Sequence, residues 1–168
     1  MKLAAMFKDL EKQIKKDVQT ALTDTMENEV FEVIREVMLN RIQNDVYDVY
    51  SPDVYIRRHS SQGLLDENNV VYDLEKNGKT LVVWNIAKYN PHNNRNGTFS
   101  TEKRKNNILQ KLIIDGWRNV KAEDPAYKHP RPFIANANKD LRRGGDHRKS
   151  LENAFEEGLA RQGIHKKS

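Results

Sequence analysis

The chain of 168 residues contains no cysteine. Disulfides and thiolate-held metals are therefore excluded. No apolar run approaches the length needed to cross a bilayer. The opening MKLAAMFKDLEKQIKK is interrupted by charge every few positions, unlike the unbroken apolar core of a secretory signal. Cytosolic synthesis without a membrane span is the expectation. Hydrophobic residues are few, 37% against 32% charged, so the core is small for the length and much of the chain is exposed face. Neither glycine nor proline occurs before Pro52, which leaves the first fifty residues without a strong helix breaker. Aromatics, at 8%, argue against wholesale disorder.

Charge is unevenly placed. Residues 102–168 hold 16 Lys/Arg and 9 Asp/Glu, a net of +7, and the remaining 101 hold 13 and 15, a net of −2. A basic half of this kind meets nucleic acid or an acidic protein surface, or is a solvated face.

Apolar residues Leu3, Met6, Phe7, Leu10, Ile14 and Val18 step by three and four, and the pattern resumes from Leu22 through Met26, Val30, Val33, Ile34, Val37, Met38 and Ile42. A single helix over 3–48 would be about 65–70 Å long, more than the width of a domain of this size. A break or bend near residues 20–27 is expected, with Thr23, Asp24 or Thr25 as an N-cap. The alternatives are a projecting first part that packs on another chain, and a compact helical hairpin. Pro52 closes the helical region, and SSQGLLDENN reads as a polar loop. VVYDLEKNGKTLVVWNIA places two apolar runs around Asn77-Gly78, a β-hairpin signal. A polar Asn-rich loop follows. NILQKLIIDGW then predicts a helix with Ile108, Leu109, Leu112, Ile113 and Trp117 on one face. AEDPAYKHPRPF is extended, IANANKDLRR is a short helix stopped by the Gly-Gly pair, and DHRKSLENAFEEGLARQG is a helix capped by Asp146 and stopped by Gly163. The expected class is α+β: a long N-terminal helix or helical pair, a small antiparallel sheet with a hairpin at residues 69–87, and C-terminal helices. The expected division is a helical segment over 1–48 and a small α+β domain over 49–168.

Chemistry-bearing patterns are sparse. No two of the five histidines have the i, i+4 spacing of a helical metal pair. His92, in NPHNNRN, superficially matches a metal-nuclease loop, but the rest of such a motif has no counterpart. The pairs Asp66–Glu67 and Glu123–Asp124 lie beside turn residues, where solvated or capping roles are usual. LRRGGDHRKS does not follow a strand and lacks the phosphate-loop spacing. Its Arg142, Arg143, Arg148 and Lys149, near a helix start, offer a contact for a phosphate or an acidic side chain, or form a charged surface. No cofactor or metal is expected from these patterns, and a nucleic-acid-binding or processing protein using the basic C-terminal half is an alternative reading.

The densest segment is VYDVYSPDVYIRRHSSQGLLDENNV, residues 46–70. Tyrosine buries ring area and still needs a hydroxyl partner. Tyrosine and arginine are enriched at interfaces, and arginine bridges carboxylates in bidentate fashion. Tyr47, Tyr50 and Tyr55 would pin the helix end to the sheet, and Arg57 and Arg58 would face an acidic neighbour. The alternative is a corner internal to the chain.

This segment resembles the Y-x-x-Y-x-P-x-x-Y-x-R-R … G-G-L-x-D-x-x-N pattern of small structural proteins of tailed phages, especially those infecting Gram-positive hosts, with Gln62 in place of the first glycine. HPRPFIANANKDL is similar to the R-P-F-[IL]-x-x-[AT] segment near the end of tail-completion and minor structural proteins, and LENAFEEGLARQGI to their closing helix. The resemblance covers about Val46 to Ile164. It implies a virion component without enzyme activity, in a head–tail connector, stopper or tail-completion ring. Its partners would be other copies of itself, portal or connector proteins, and tail-tube or terminator proteins, with possible charge contact to packaged DNA. Arg131, Pro132 and Phe133 would form a second anchor, with Phe133 inserted in an apolar site.

Overall fold

The computed structural model describes residues 2–49, 63–87, 113–114 and 130–165. Residues 2–47 form one uninterrupted helical rod. It comprises α1 (Lys2–Thr25), a π turn (Met26–Val30), α2 (Phe31–Ile42) and a second π turn (Gln43–Tyr47). At 1.5 Å per residue the rod is about 70 Å long. Of the expected break or bend near residues 20–27, no break occurs: α1 passes into the π turn at Met26, and residues 2–47 form no helical hairpin. Thr25 has helical dihedrals and makes no side-chain cap hydrogen bond. The physical reason is that the polar residues of this stretch each weaken a helix by well under ~1 kcal/mol relative to alanine, whereas Ala21, Thr25 and Val30 are buried against the rest of the chain.

The interval from Thr25 to Val30 is five residues, and a π turn, bonded i to i+5, suits that spacing. It carries the buried face of α1 into the buried face of α2. Within the turn, Asn28 Nδ2 donates to the Asp24 carbonyl at 2.9 Å.

The core lies around α2. Phe31, Met38, Ile42 and Val46 of the rod meet Leu64, Val70, Ala87, Ile113 and Phe133. Strands β1 (Val70–Glu75) and β2 (Thr80–Asn85) form an antiparallel pair in which Tyr72 faces Val83 and Val71 faces Trp84. Leu81 and Val83 pack toward the core, and the Tyr72 ring lies 4.6 Å from that of Phe31. Asp66 caps the short 3₁₀ turn Glu67–Asn69 that leads into β1. Asn85 is buried. Its Nδ2 donates to the Leu64 carbonyl at 2.8 Å and its Oδ1 accepts from the Ala87 N–H at 2.9 Å, so both ends of the amide are satisfied. The loop before the hairpin is thereby tied to the end of β2.

Ile113 and Ile114 are helical, and the rest of the helix predicted over NILQKLIIDGW lies outside the described residues. Two longer helices follow: α3 (Phe133–Leu141), against α2, and α4 (Arg148–Arg161), against the first π turn and the end of α1. The proposed cap of α4, Asp146, does not hold that place. His147 does, and it makes no side-chain cap hydrogen bond. Its backbone N–H instead donates to the Asp140 carbonyl at 3.1 Å, which holds the end of α3 close to the start of α4. Gly163 ends α4 as expected. With φ at +80° it occupies the left-handed position after a helix, and the Ile164 N–H reaches back to the Leu159 carbonyl at 2.9 Å.

Candidate functional site

The rod is held on two sides near residues 19–29. On one side the hairpin tip meets it. Gln19 Nε2 donates to the Asn77 carbonyl, and a Cβ at Gly78 would come 2.5 Å from Thr23 Oγ1. On the other side Gly158 lies so close that a Cβ there would come 2.5 Å from Thr25 Cγ2, and Arg161 pairs with Glu29 at 2.8 Å. Toward the N-terminus from these contacts the helix continues as an arm. Its apolar residues Leu3, Met6, Phe7, Leu10, Ile14 and Val18 are 49–67% exposed.

A second apolar surface is the outer face of the hairpin, where Val82, Trp84 and Ile86 are 38–42% exposed. Val71, opposite Trp84, shares this face.

The third feature is a polar junction between α2 and α3. Arg41 binds Asp140 through two hydrogen bonds, Nε to Oδ2 at 2.5 Å and Nη2 to Oδ1 at 2.7 Å. Asp45 lies 3.8 Å from Arg41 and accepts from Asn136 Nδ2 at 2.8 Å. The Asp140 side chain is 8% exposed and that of Arg41 30%. The Arg41 hydrogen bonds hold the Asp140 carboxyl below the usual range. Burial opposes this, and the charges of Arg41, His147 and Lys139 add to it. The same hydrogen bonds raise Arg41. Sequence reasoning missed this junction. Its partners stand 99 residues apart in the chain, and a lone Arg on a helix flank carries no signal of one distant carboxylate.

The residues singled out in the sequence do not converge on one place. Tyr47 is partly buried against the core, on the second π turn. Tyr50, Tyr55, Arg57, Arg58 and His92 lie outside the described residues. The Arg131 N–H donates to the Ile113 carbonyl at 2.8 Å, and its own carbonyl accepts from the Phe133 N–H at 2.8 Å. Pro132 is exposed. Phe133, 0% exposed, fills the chain's own core and anchors α3 there. Its ring is thus occupied within the chain and is not presented to a neighbour. Arg142, Arg143, Arg148 and Lys149 are exposed in and just after the α3–α4 turn, with Arg148 bound to Glu152 at 2.7 Å. Among the described residues, no group of three or more His, Asp or Glu side chains is placed to hold a metal ion.

The arm and the outer face of the hairpin are exposed apolar surfaces. The family model YomN matches residues 7–161. The chain belongs to the YomN family. YomN is a phage-derived family name, of SPbeta-like prophage origin, and is consistent with a phage protein. The YomN match begins within the exposed arm, at Phe7, and ends at Arg161, the partner of Glu29. No curated protein and no solved structure matches the chain.

Proposed function

We propose that this YomN-family chain is a structural virion protein without enzyme activity, part of the neck that joins capsid portal to tail as a connector, stopper or tail-completion ring. The observation that carries the reading is the arm. A phage-derived protein holds out a rigid helix whose apolar stripe lacks a cover among the described residues, which suits a component completed by assembly. The sequence resemblance to tailed-phage structural proteins points the same way. Other copies of the chain, portal or connector proteins, and tail-tube or terminator proteins are the proposed partners. Tyr47, Tyr50, Tyr55, Arg57 and Arg58 are proposed to serve the contacts among them, with Arg131 and Pro132 at a second contact. The exposed Arg142, Arg143, Arg148 and Lys149 suit charge contact with packaged DNA, without reading of its sequence.

Imaging of intact particles tests the reading directly. A label on the chain is expected between capsid and tail. Its absence from purified particles would remove the proposal. The arginine pair is tested by changing Arg57 and Arg58 together to Glu. The protein is expected to fold as before and to be missing from particles, and incorporation at normal copy number would dismiss that assignment.

A further inference from the structure

We infer that the arm is a self-association surface: the apolar stripe of residues 3–18 is covered by the same stripe of a second copy of this chain.

The first support is the geometry of the stripe. Leu3, Phe7, Leu10 and Ile14 are each followed eleven positions later by Ile14, Val18, Ala21 and Thr25. An eleven-residue repeat averages about 3.67 residues per turn. The stripe therefore stays almost in line with the helix axis over its whole length, as a long helix–helix contact requires. The second support is continuity. Ala21 and Thr25, the last positions of the same stripe, are already buried where α4 crosses the rod, and Gly158 gives that crossing its closeness. The chain itself covers one end of this stripe with a helix. The cover stops because α4 stops at Gly163. The exposed positions begin at Val18, immediately beyond.

Charge distinguishes a protein partner from a lipid surface. Over residues 2–18 five lysines are mixed with Asp9, Glu11 and Asp17. Two bonds on this stretch are internal to the arm, Lys15 to Glu11 at 2.5 Å and Gln13 to Asp17 at 2.7 Å. Mixed, internally paired flanks suit a solvated helix pair. An anionic membrane favours a lysine-rich polar face. Because both signs flank the stripe, two identical arms meet without a one-sign field between them. Six large side chains exposed to this degree present on the order of 600 Å² per copy, and a pair would bury on the order of 1,200 Å², the lower bound for a specific interface.

The test is sedimentation of the full chain across a concentration series, for the natural sequence and for the double variant Leu10→Asp with Ile14→Asp. Both positions are exposed in the single chain, so circular dichroism is expected to be unchanged while association weakens by about 100-fold or more. Because the natural chain has no cysteine, a single introduced one reports proximity and does not depend on the double variant folding. Leu10→Cys is expected to form a disulfide between copies on oxidation. Lys12→Cys, on the opposite side of the helix, is not. A natural chain that stays monomeric up to about 100 μM overturns the inference. Undiminished association of a folded double variant overturns it too. So does association lost in Trp84→Asp and kept in the arm variant, which would assign the contact to the hairpin's outer face. Monomeric chain that binds anionic vesicles through the arm overturns it in favour of a lipid surface. The inference deepens the assembly reading and rests on it for its biological setting. Sedimentation and cross-linking judge the arm, and the label in the particle judges the virion role, so the two fail separately.

Discussion

Thr25 is 1% exposed, and its hydroxyl has no hydrogen-bond partner among the described residues. A buried hydroxyl left unpaired is costly, and replacing it by a methyl group of the same shape removes the cost. Thr25→Val is expected to raise stability by about 1 kcal/mol, read as a higher urea midpoint at unchanged slope. Arg41 and Asp140 show the reverse case, a buried acceptor fully used. Asp140→Ala leaves the guanidinium without its carboxylate. The cost is expected to be about 2 kcal/mol, below that of a wholly buried pair, because Arg41 keeps contact with water. The pair also fixes an acid dependence. The folded carboxyl titrates below its ordinary value, so the unfolded chain takes up the proton first as pH falls. The stabilisation is complete above the ordinary carboxylate range, near about pH 4, and is lost below it as pH falls through the lowered folded value. Urea midpoints between neutral and acid pH are expected to fall less steeply in Asp140→Ala than in the natural chain over that window. Parallel curves would show that the pair does not set the dependence. Phe133→Ala, at a fully buried core position, is expected to cost about 3–5 kcal/mol.

Among the elements, the hairpin was the most legible in sequence. Asn77-Gly78 marked a turn, and three consecutive residues, Lys76, Asn77 and Gly78, do take positive φ. The connection nevertheless has four residues, since Glu75 pairs with Thr80. The long helix was legible from its spacing, but its continuity was not. Sequence reading carried the stripe through Met26, where the fold uses Thr25 and then Val30. The five-residue interval that marks the π turn appears only once it is known which side chains are buried. The stop at Gly163 was legible because glycine at that place relieves a left-handed strain common to helix ends. The start of α4 was not, because the cap position falls on His147, whose side chain makes no cap hydrogen bond, and not on Asp146. Gly163→Ala is expected to destabilise by about 1 kcal/mol. Its signature would be a loss concentrated in the last turn of α4, measured as faster amide exchange of Ile164 than of the core of α2.

For the whole molecule, covered and uncovered halves of one helix have different energetic roles. The C-terminal half of the rod is the spine of the core, with Phe31, Met38, Ile42 and Val46 buried in it. The arm contributes little burial within the single chain, yet it carries six large apolar side chains. None of this division shows in the sequence, because periodicity reports which face of a helix is apolar and is silent on where its cover ends. Burial therefore assigns the fold's stability to residues from about 19 onward, and leaves the exposed arm to the inferred contact with a second copy. Removing residues 2–18 is accordingly expected to leave the melting temperature of dilute protein unchanged. Association through a folded surface raises the melting temperature with concentration by mass action. The natural chain is expected to show that rise and the shortened chain to show none. If dilute shortened protein melts well below the natural chain, the arm supports the single fold directly. If the rise persists without the arm, the copies meet elsewhere.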